Sequence, residues 1–319
     1  MTTRKMILDV DTGVDDAMAI TYALADPNVE LIGILSSFGN IEADRAAANA
    51  LKLLQLYQCP QVPVFIGRAN PLDHQYQRIA VNAQIHGENG IGDVNLPAAT
   101  AQIAKQNGVD FLIDTAQKYG EQLCVVTTGP MTNLAAAFAK DPVAIRKIGN
   151  ITVMGGALTV PGNVTPVAEA NVEQDPVAAN QLFTSDLKIT MVGLDVTLRT
   201  LLTKQETSQW RTCNPTAGAK LADIVDFYID VYDEIYPELG GCSLHDPLAV
   251  GVAIDPSFVT TIPLNLLVTT EHDAYYARTI GDKARLNEPT NLNVAVGVDR
   301  ERYLNVFMKL FLDFLEKLN

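Results

Sequence analysis

Asp9-Val-Asp-Thr-Gly-Val-Asp-Asp16 carries four carboxylates in eight residues, at the end of an apolar run that begins at Met6. Met6–Val10 reads as a buried strand, Gly13 permits a tight turn, and a helix is expected over Asp15–Ala25. An apolar strand that passes through a polar turn straight into a helix is how a parallel α/β unit begins. One acid at a helix start is an ordinary cap, worth about 1 kcal/mol. Four acids repel one another, and a single helix N-terminus cannot offset them all. A bound hard cation resolves that conflict, because it accepts several carboxylate oxygens at once. No Cys or His lies nearby, and oxygen-only donors point to calcium or magnesium rather than zinc.

Working outward, the same rhythm repeats. Strands are expected at Val29–Ser37, Val62–Ile66, Leu123–Thr128, Ile151–Met154 and Lys188–Gly193. Helical segments at Ile41–Tyr57, Asp110–Tyr119, Met131–Lys140 and Asp175–Phe183 fall between or beside them. Nearly continuous apolar strands alternating with amphipathic helices imply a mostly parallel sheet covered on both faces. The later part is more helical, with helices expected over Lys204–Thr212, Ala217–Leu239, His245–Ala253 and Glu301–Leu318. Strand-like segments return at Thr261–Thr270 and Asn291–Val298. No linker, repeat or low-complexity tract interrupts the chain, so residues 1–319 read as one large domain. Ligands of open parallel sheets sit outside the carboxyl ends of the strands. That rule marks Asp9–Asp16, Ser37–Asn40, Thr127–Thr132, Met154–Gly156 and Asp195 as the neighbourhood of a site.

Composition narrows the ligand. The 319 residues hold 23 Lys+Arg against 37 Asp+Glu, a formal charge of −14, and are 48% hydrophobic. Such a chain has the apolar content for a large core. Its charge argues against nucleic acid, an anionic membrane or a substrate gripped through phosphates. A neutral small molecule or a cation remains. Cys59, Cys124, Cys213 and Cys242 form no CxxC pair, which argues against a disulfide scaffold or a structural zinc site. Acids interrupt the N-terminal apolar run too early for a signal peptide. The expectation is a cytoplasmic protein.

Taken together, the acidic turn and five further segments resemble the nucleoside hydrolases, the inosine-uridine-preferring nucleoside N-ribohydrolase family. These segments are Gly39-Asn40, Thr127-Thr-Gly-Pro-Met-Thr-Asn133, Val153-Met-Gly-Gly156, Gly162-Asn-Val-Thr-Pro-Val-Ala-Glu-Ala-Asn171 and His245-Asp-Pro247. They occur in the family's order and span essentially the whole chain. The resemblance implies a Rossmann-like α/β fold and a homo-oligomer, dimer or tetramer. It also implies calcium-dependent hydrolysis of the N-glycosidic bond of ribonucleosides to free base and ribose, as in nucleoside salvage. By the same resemblance Asp11, Asp16, the backbone carbonyl of Thr128 and Asp246 hold calcium, and Asp11 is the general base. Asp15, Asn40, Asn163, Glu169 and Asn171 hold the ribose hydroxyls, with Met154 beneath the sugar. Ala170 departs from the pattern, because a Phe is common between the Glu and the Asn. Its absence removes an aromatic wall and bears on substrate choice.

The chemistry asks for these residue types. Ribosyl transfer to water passes through an oxocarbenium-like transition state. It needs a base for water, a grip on the ribose hydroxyls, and stabilisation of the departing nucleobase. Asp11 beside a divalent cation suits the first need. Asp15, Asn40 and Asn171 suit the second. Histidine suits the third. His245 adjoins Asp246 at a helix start with Pro247 in its first turn, and by resemblance sits near the base. His86 lies in the polar stretch Asn82–Gly90, expected as a mobile loop over the site. His74 and His272 read as structural or surface residues. Tyr228, Tyr232 and Tyr236 recur every fourth residue on one helix. That stripe is core packing or a wall for the base, with Tyr228 or Tyr232 the candidates for touching it. Two rivals stand beside the hydrolase. Asp9-Val-Asp11 after the first strand would suit a haloacid-dehalogenase-like phosphatase, although Gly13 breaks that motif. A non-catalytic nucleoside- or sugar-binding protein could use the same pocket.

Overall fold

The first strand lies at the centre of the fold. In the computed structural model, which describes residues 3–318, β1 (Arg4–Val10) pairs in parallel with β2 (Val29–Ser36) on one side. On its other side it pairs with β4 (Leu123–Thr127). Beyond them lie β3 (Val64–Ile66), β5 (Asn150–Met154) and β6 (Ile189–Val192). Two short antiparallel pairs stand apart from the main sheet. One joins β7 (Leu201–Leu202) to β8 (Cys242–Ser243), the other β10 (Leu266–Val268) to β11 (Thr279–Gly281). With β9 (Val259–Pro263) and β12 (Leu292–Val298), the main sheet runs β3-β2-β1-β4-β5-β6-β12-β9. Every pairing in it is parallel except that of β9 with β12. This is the doubly wound arrangement expected for a Rossmann-like α/β fold.

Side-chain alternation on β1 explains its burial. Met6, Leu8 and Val10 enter one apolar core, with helices Val14–Ala25, Ala217–Ile235 and Arg300–Glu316. Ile7 enters the other, with helices Gly108–Tyr119, Thr132–Lys140 and Pro176–Phe183. The strand is apolar from Met6 to Leu8; Asp9, near its end, is buried and accepts from Asn133 Nδ2 at 2.8 Å, and Asp11 follows just beyond the strand. The strand order reverses between β1 and β4, since the chain first winds outward through β2 and β3. The crevice at that switch point is where such folds place ligands.

Most expected elements are present, with three corrections. The strand-like stretch Thr261–Thr270 is two strands, β9 and β10, separated by Leu264 and Asn265. β9 closes the sheet as an antiparallel edge, where Pro263 can sit without a donor to offer. The stretch around His86 contains a helix, Ala80–His86, where a loop was expected. The stretch from Asn163 to Asn171 is a loop only as far as Glu169, which caps a short helix Ala170–Gln174. Its carboxylate accepts from the Asn171 and Val172 amides at 3.0 and 3.1 Å, so Asn171 stands on a helix. No helix among the described residues is long and apolar enough to cross a membrane.

Candidate active site

Residues 11–13 carry the chain from β1 into helix Val14–Ala25 without a left-handed turn. Gly13, expected to permit a tight turn, caps that helix in an extended conformation at φ −88°. Glycine is required there by crowding: a Cβ would lie 2.5 Å from Asn40 Nδ2 and 2.7 Å from His86 Nδ1. Gly39, at φ +153°, faces the same constraint, because a Cβ would overlap the Asp11 carboxylate. Two glycines thus let the Gly39-Asn40 turn and the end of helix Ala80–His86 close on the acidic turn.

The carboxylates are buried together. Asp11 and Asp16 are fully enclosed, Asp246 is 2% exposed and Asp15 7%. Oxygens of Asp15, Asp16 and Asp246 lie within 4.8 Å of one another. Asp246 arrives from the first turn of helix His245–Ile254, more than 200 residues away in sequence. Asp16 is well tethered: its carboxylate accepts from Gly13 N at 2.7 Å and from Thr128 Oγ1 at 2.6 Å. Asp11 Oδ2 accepts from Asn40 N at 2.6 Å. Asp11 Oδ1 and Asp15 Oδ1 are buried with no partner.

Electrostatics sharpen this picture. Burial, then the neighbouring Asp16 charge, lifts the Asp15 carboxyl to about 7. The same two causes hold Asp11 well above the usual carboxylate range. Asp246 is also held well above it, by burial and then by Asp15, Asp16 and Asp11. Asp16 is raised by burial, against the pull of the Thr128 hydroxyl and the Gly13 amide. Such a set cannot all ionise without a compensating cation. Orphaned, all-oxygen and mutually repelling donors fit a hard divalent metal. Asp16 and Asp246, two of the four ligands expected, belong to the group whose oxygens lie within 4.8 Å; Asp11, a third, does not. Thr128, the fourth, lines the cleft, and its carbonyl accepts from Asn171 Nδ2 at 2.7 Å. Asp15, expected to meet the sugar, belongs to the same carboxylate cluster.

A cleft opens above the cluster. Asp15, Asn40, His86, Thr128, Met154, Asn163, Glu169, Asn171, Tyr228, Tyr232, His245 and Asp246 all line it, so the dispersed residues of the sequence reading converge. Asp11 and Asp16 do not line it. Asp195 is not among the lining residues. It accepts from the Leu158 and Thr159 amides at 2.9 and 2.7 Å and so braces a loop. Several polar groups are already partly engaged. Asn171 Nδ2 also reaches the Met154 carbonyl at 3.2 Å, which leaves Oδ1 free. Asn163 Oδ1 accepts from Ala170 N at 3.0 Å, which leaves its amide free. Ala170 lines the cleft beside Val164, and no ring closes it there.

The aromatic wall is both core and cleft. Tyr228 and Tyr232 are 3% and 7% exposed, pack in the larger core, and line the cavity. A hydrogen-bonded chain runs through them. Tyr228 and Tyr232 hydroxyls lie 3.4 Å apart, Tyr232 OH is 2.8 Å from His245 Nε2, and His245 Nδ1 is 2.8 Å from Thr197 Oγ1. Burial pushes His245 down to about 4, so it is neutral. Both its ring nitrogens are engaged within the protein, and its reach toward a ligand runs through the tyrosines.

His86 ends helix Ala80–His86 over the cleft. Its ring stacks on Tyr228 with centroids 5.5 Å apart, and Nδ1 accepts from Val14 N at 3.3 Å. Burial, then the Arg78 charge and the neighbouring His245, lowers it to about 3. It is therefore neutral and forms no ion pair with Asp15, 3.9 Å away. With Nδ1 accepting, the proton sits on Nε2. Sequence reading missed what holds this helix down. Tyr76 OH and Asn82 Nδ2 each donate to the Gly39 carbonyl at 2.7 Å. Arg78 donates to the carbonyls of Asn40, Gly87 and Glu88 at 3.1, 2.7 and 3.0 Å. His74 pairs with Asp73 on the surface, and exposed His272 stacks on Tyr276, as expected for residues outside the site.

Comparison with known proteins agrees with this geometry. The profile described as inosine-uridine preferring nucleoside hydrolase matches residues 6–305. Pyrimidine-specific ribonucleoside hydrolase RihB of Escherichia coli is 34% identical over 302 residues, 94% of this chain and 95% of that protein. Uridine nucleosidase 1 of Arabidopsis thaliana is 35% identical over 259 residues, 80% of this chain and 75% of that protein. Among solved structures, the purine-preferring ribonucleoside hydrolase from Gardnerella vaginalis superposes with a TM-score of 0.96 at 50% identity. That match covers 98% of this chain and 100% of the other.

Proposed function

Because the chain belongs to the inosine-uridine preferring nucleoside hydrolase family, it is a ribonucleoside hydrolase, and we propose that it uses calcium and prefers purine nucleosides. Membership sets aside the phosphatase and the non-catalytic binder. The observation that carries the reading is the cluster of buried, partly orphaned carboxylates, of which Asp15 and Asp246 line a cleft together with asparagine amides and tyrosines. Calcium is favoured because every donor is an oxygen and the carboxylates arrive from separate segments, which suits a large, flexible coordination sphere. Asp11, Asp16, Asp246 and the Thr128 carbonyl would hold it, with Asp15 alongside. When bound, the cation neutralises the cluster and lowers the pKa of a water in the cleft.

The residues divide the remaining work. Asp11 accepts a proton from the attacking water, whose oxygen forms the new bond to C1′. Asp15, Asn40, Asn163, Glu169 and Asn171 orient the ribose through its hydroxyls, and Met154 packs beneath it. The C1′–N bond breaks with its electron pair leaving on the base. Tyr228 gives the base a proton, with Tyr232 and His245 behind it, and His86 offers its Nε2–H at the cleft. After release Tyr228 regains a proton and Asp11 loses one, so the net reaction consumes one water. The anionic floor favours a sugar that becomes cationic and repels a substrate phosphate. We further propose that the enzyme acts as a homo-oligomer in the cytoplasm.

Purine preference is supported by the Gardnerella relative and by the apolar wall of Ile85, Val231 and Ile235, which suits a larger base. Ribose release from inosine, adenosine, uridine and cytidine tests the reading. The purines are expected to give the higher kcat/KM. Release from none of the four would sink the hydrolase assignment, and faster uridine turnover would sink the preference.

Arg78 supplies a separate test. Its charged hydrogen bonds to three carbonyls are worth about 1.5–3 kcal/mol each at most. Arg78→Ala is expected to loosen helix Ala80–His86 and raise KM about tenfold, with kcat less affected. Faster limited proteolysis near residues 78–88 would accompany it. An unchanged KM would show that the clasp does not govern the cleft.

A further inference from the structure

We propose that Thr197 is a positioning residue that holds His245 as its Nε2–H tautomer and so aims the donors of His245, Tyr232 and Tyr228 toward the departing base. The proposal rests on the nucleoside hydrolase reading of the cleft. Thr197 ends the short helix Leu194–Thr197 that follows β6 and is fully buried. His245 Nδ1, at 2.8 Å, is the one partner of its hydroxyl among the described residues. If Nδ1 carried the proton, the threonine hydrogen would be buried without an acceptor, at a cost that hydroxyls in proteins avoid. With Thr197 donating to Nδ1, both groups are satisfied. The His245 proton then lies on Nε2 and points at Tyr232 OH, 2.8 Å away. Tyr232 in turn donates to the Tyr228 oxygen, 3.4 Å away.

Direction matters at the moment of bond cleavage. When Tyr228 passes its proton to the nitrogen of the departing base, its oxygen is left with a negative charge. In this arrangement the Tyr232 hydroxyl already points at that oxygen, and His245 and Thr197 polarise the hydroxyl from behind. In the opposite tautomer Tyr232 would donate to His245, and the Tyr228 oxygen would have no donor from the chain. The two arrangements contain the same atoms at the same distances. Only the threonine hydroxyl distinguishes them.

Thr197→Val keeps the shape and removes the donor, whereas Thr197→Ser keeps the donor. Each is assayed on inosine and on p-nitrophenyl β-ribofuranoside, whose phenolate leaves without needing a proton. For Thr197→Val, kcat on inosine is expected to fall about tenfold at little change in KM, and kcat on the nitrophenyl riboside by less than about twofold. Thr197→Ser is expected to restore kcat on inosine to within about threefold of the parent enzyme. Equal losses on both substrates, or no loss on inosine, would overturn the proposal. Nitrogen-15 NMR of the parent protein tests it without any variant having to fold for kinetics. His245 is expected to show an unprotonated Nδ1 and a protonated Nε2, and the reverse pattern overturns it. Absence of ribose release by the parent enzyme would instead strike the hydrolase reading itself.

Discussion

Asp11→Ala is expected to lower kcat on any nucleoside by about 10³-fold or more, the range over which a positioned general base contributes to catalysis. The reasoning starts from the geometry. Asp11 is fully buried, one of its oxygens accepts from Asn40 N at 2.6 Å, and the other has no partner. Asp11 does not itself line the cleft, but Asn40, which holds one of its oxygens, does, and from that position Asp11 is proposed to take a proton from water. Asp11→Asn separates its two roles, because the amide keeps an oxygen donor but cannot accept that proton. Its kcat is expected to match that of Asp11→Ala while calcium binding, followed by calorimetry, weakens less. The metal-free variants carry an opposite signature. Burial and the Asp16 charge hold Asp11 in an unfavourable state, so removing it is expected to raise the melting temperature of the metal-free protein. A kcat within tenfold of the parent would remove Asp11 from the role of base.

That pairing of a stability gain with a loss of function shows why the site was legible in sequence. Buried parallel strands are continuous apolar runs, so acids at the end of Met6–Val10 contradict their surroundings and stand out. The same contrast marks Asn40 after β2 and Thr128 after β4, whereas Met154 at the end of apolar β5 shows none. A mostly parallel sheet covered on both faces follows from the strand and helix rhythm, whereas the order β3-β2-β1-β4-β5-β6 comes only from the structure. Nor is the reversal of β9 legible, because strand direction leaves no trace in five residues such as Val-Thr-Thr-Ile-Pro.

The residues that sequence reading missed share a physical character. Tyr76, Arg78 and Asn82 act by donating to backbone carbonyls, and a carbonyl is present at every position whatever its side chain. No spacing rule betrays such a bond. Thr197 sits in Leu194-Asp-Val-Thr197, an unremarkable helical turn, and its partner His245 lies 48 residues on. Gly13 was read as a turn former, yet its backbone is extended and its smallness serves Asn40 and His86. In each case the meaning comes from what approaches from elsewhere in the chain.

Removal of the metal is expected to abolish turnover and to change how stability responds to pH. In the metal-free protein the Asp9 and Asp15 carboxyls lie at about 7, each raised mainly by burial. Unfolded, the same groups titrate near 3.9. Between roughly pH 4 and 7 the folded chain therefore binds more protons than the unfolded one, and unfolding free energy falls as pH rises through that window. The chelated protein should lose stability steadily from about pH 4 up to about pH 7. With calcium bound, the carboxylates facing it are ionised in the folded state and their contribution reverses. It is then present above the unfolded pKa and lost only as pH falls toward and below about 4. The gap in melting temperature between calcium-loaded and chelated protein should thus widen steadily from pH 5 to 8. Scanning calorimetry at both ends of that range, with turnover measured before and after calcium is restored, checks both halves. Full activity in chelator would dismiss the metal. A gap that stays constant with pH would mean that the buried carboxylates do not hold it.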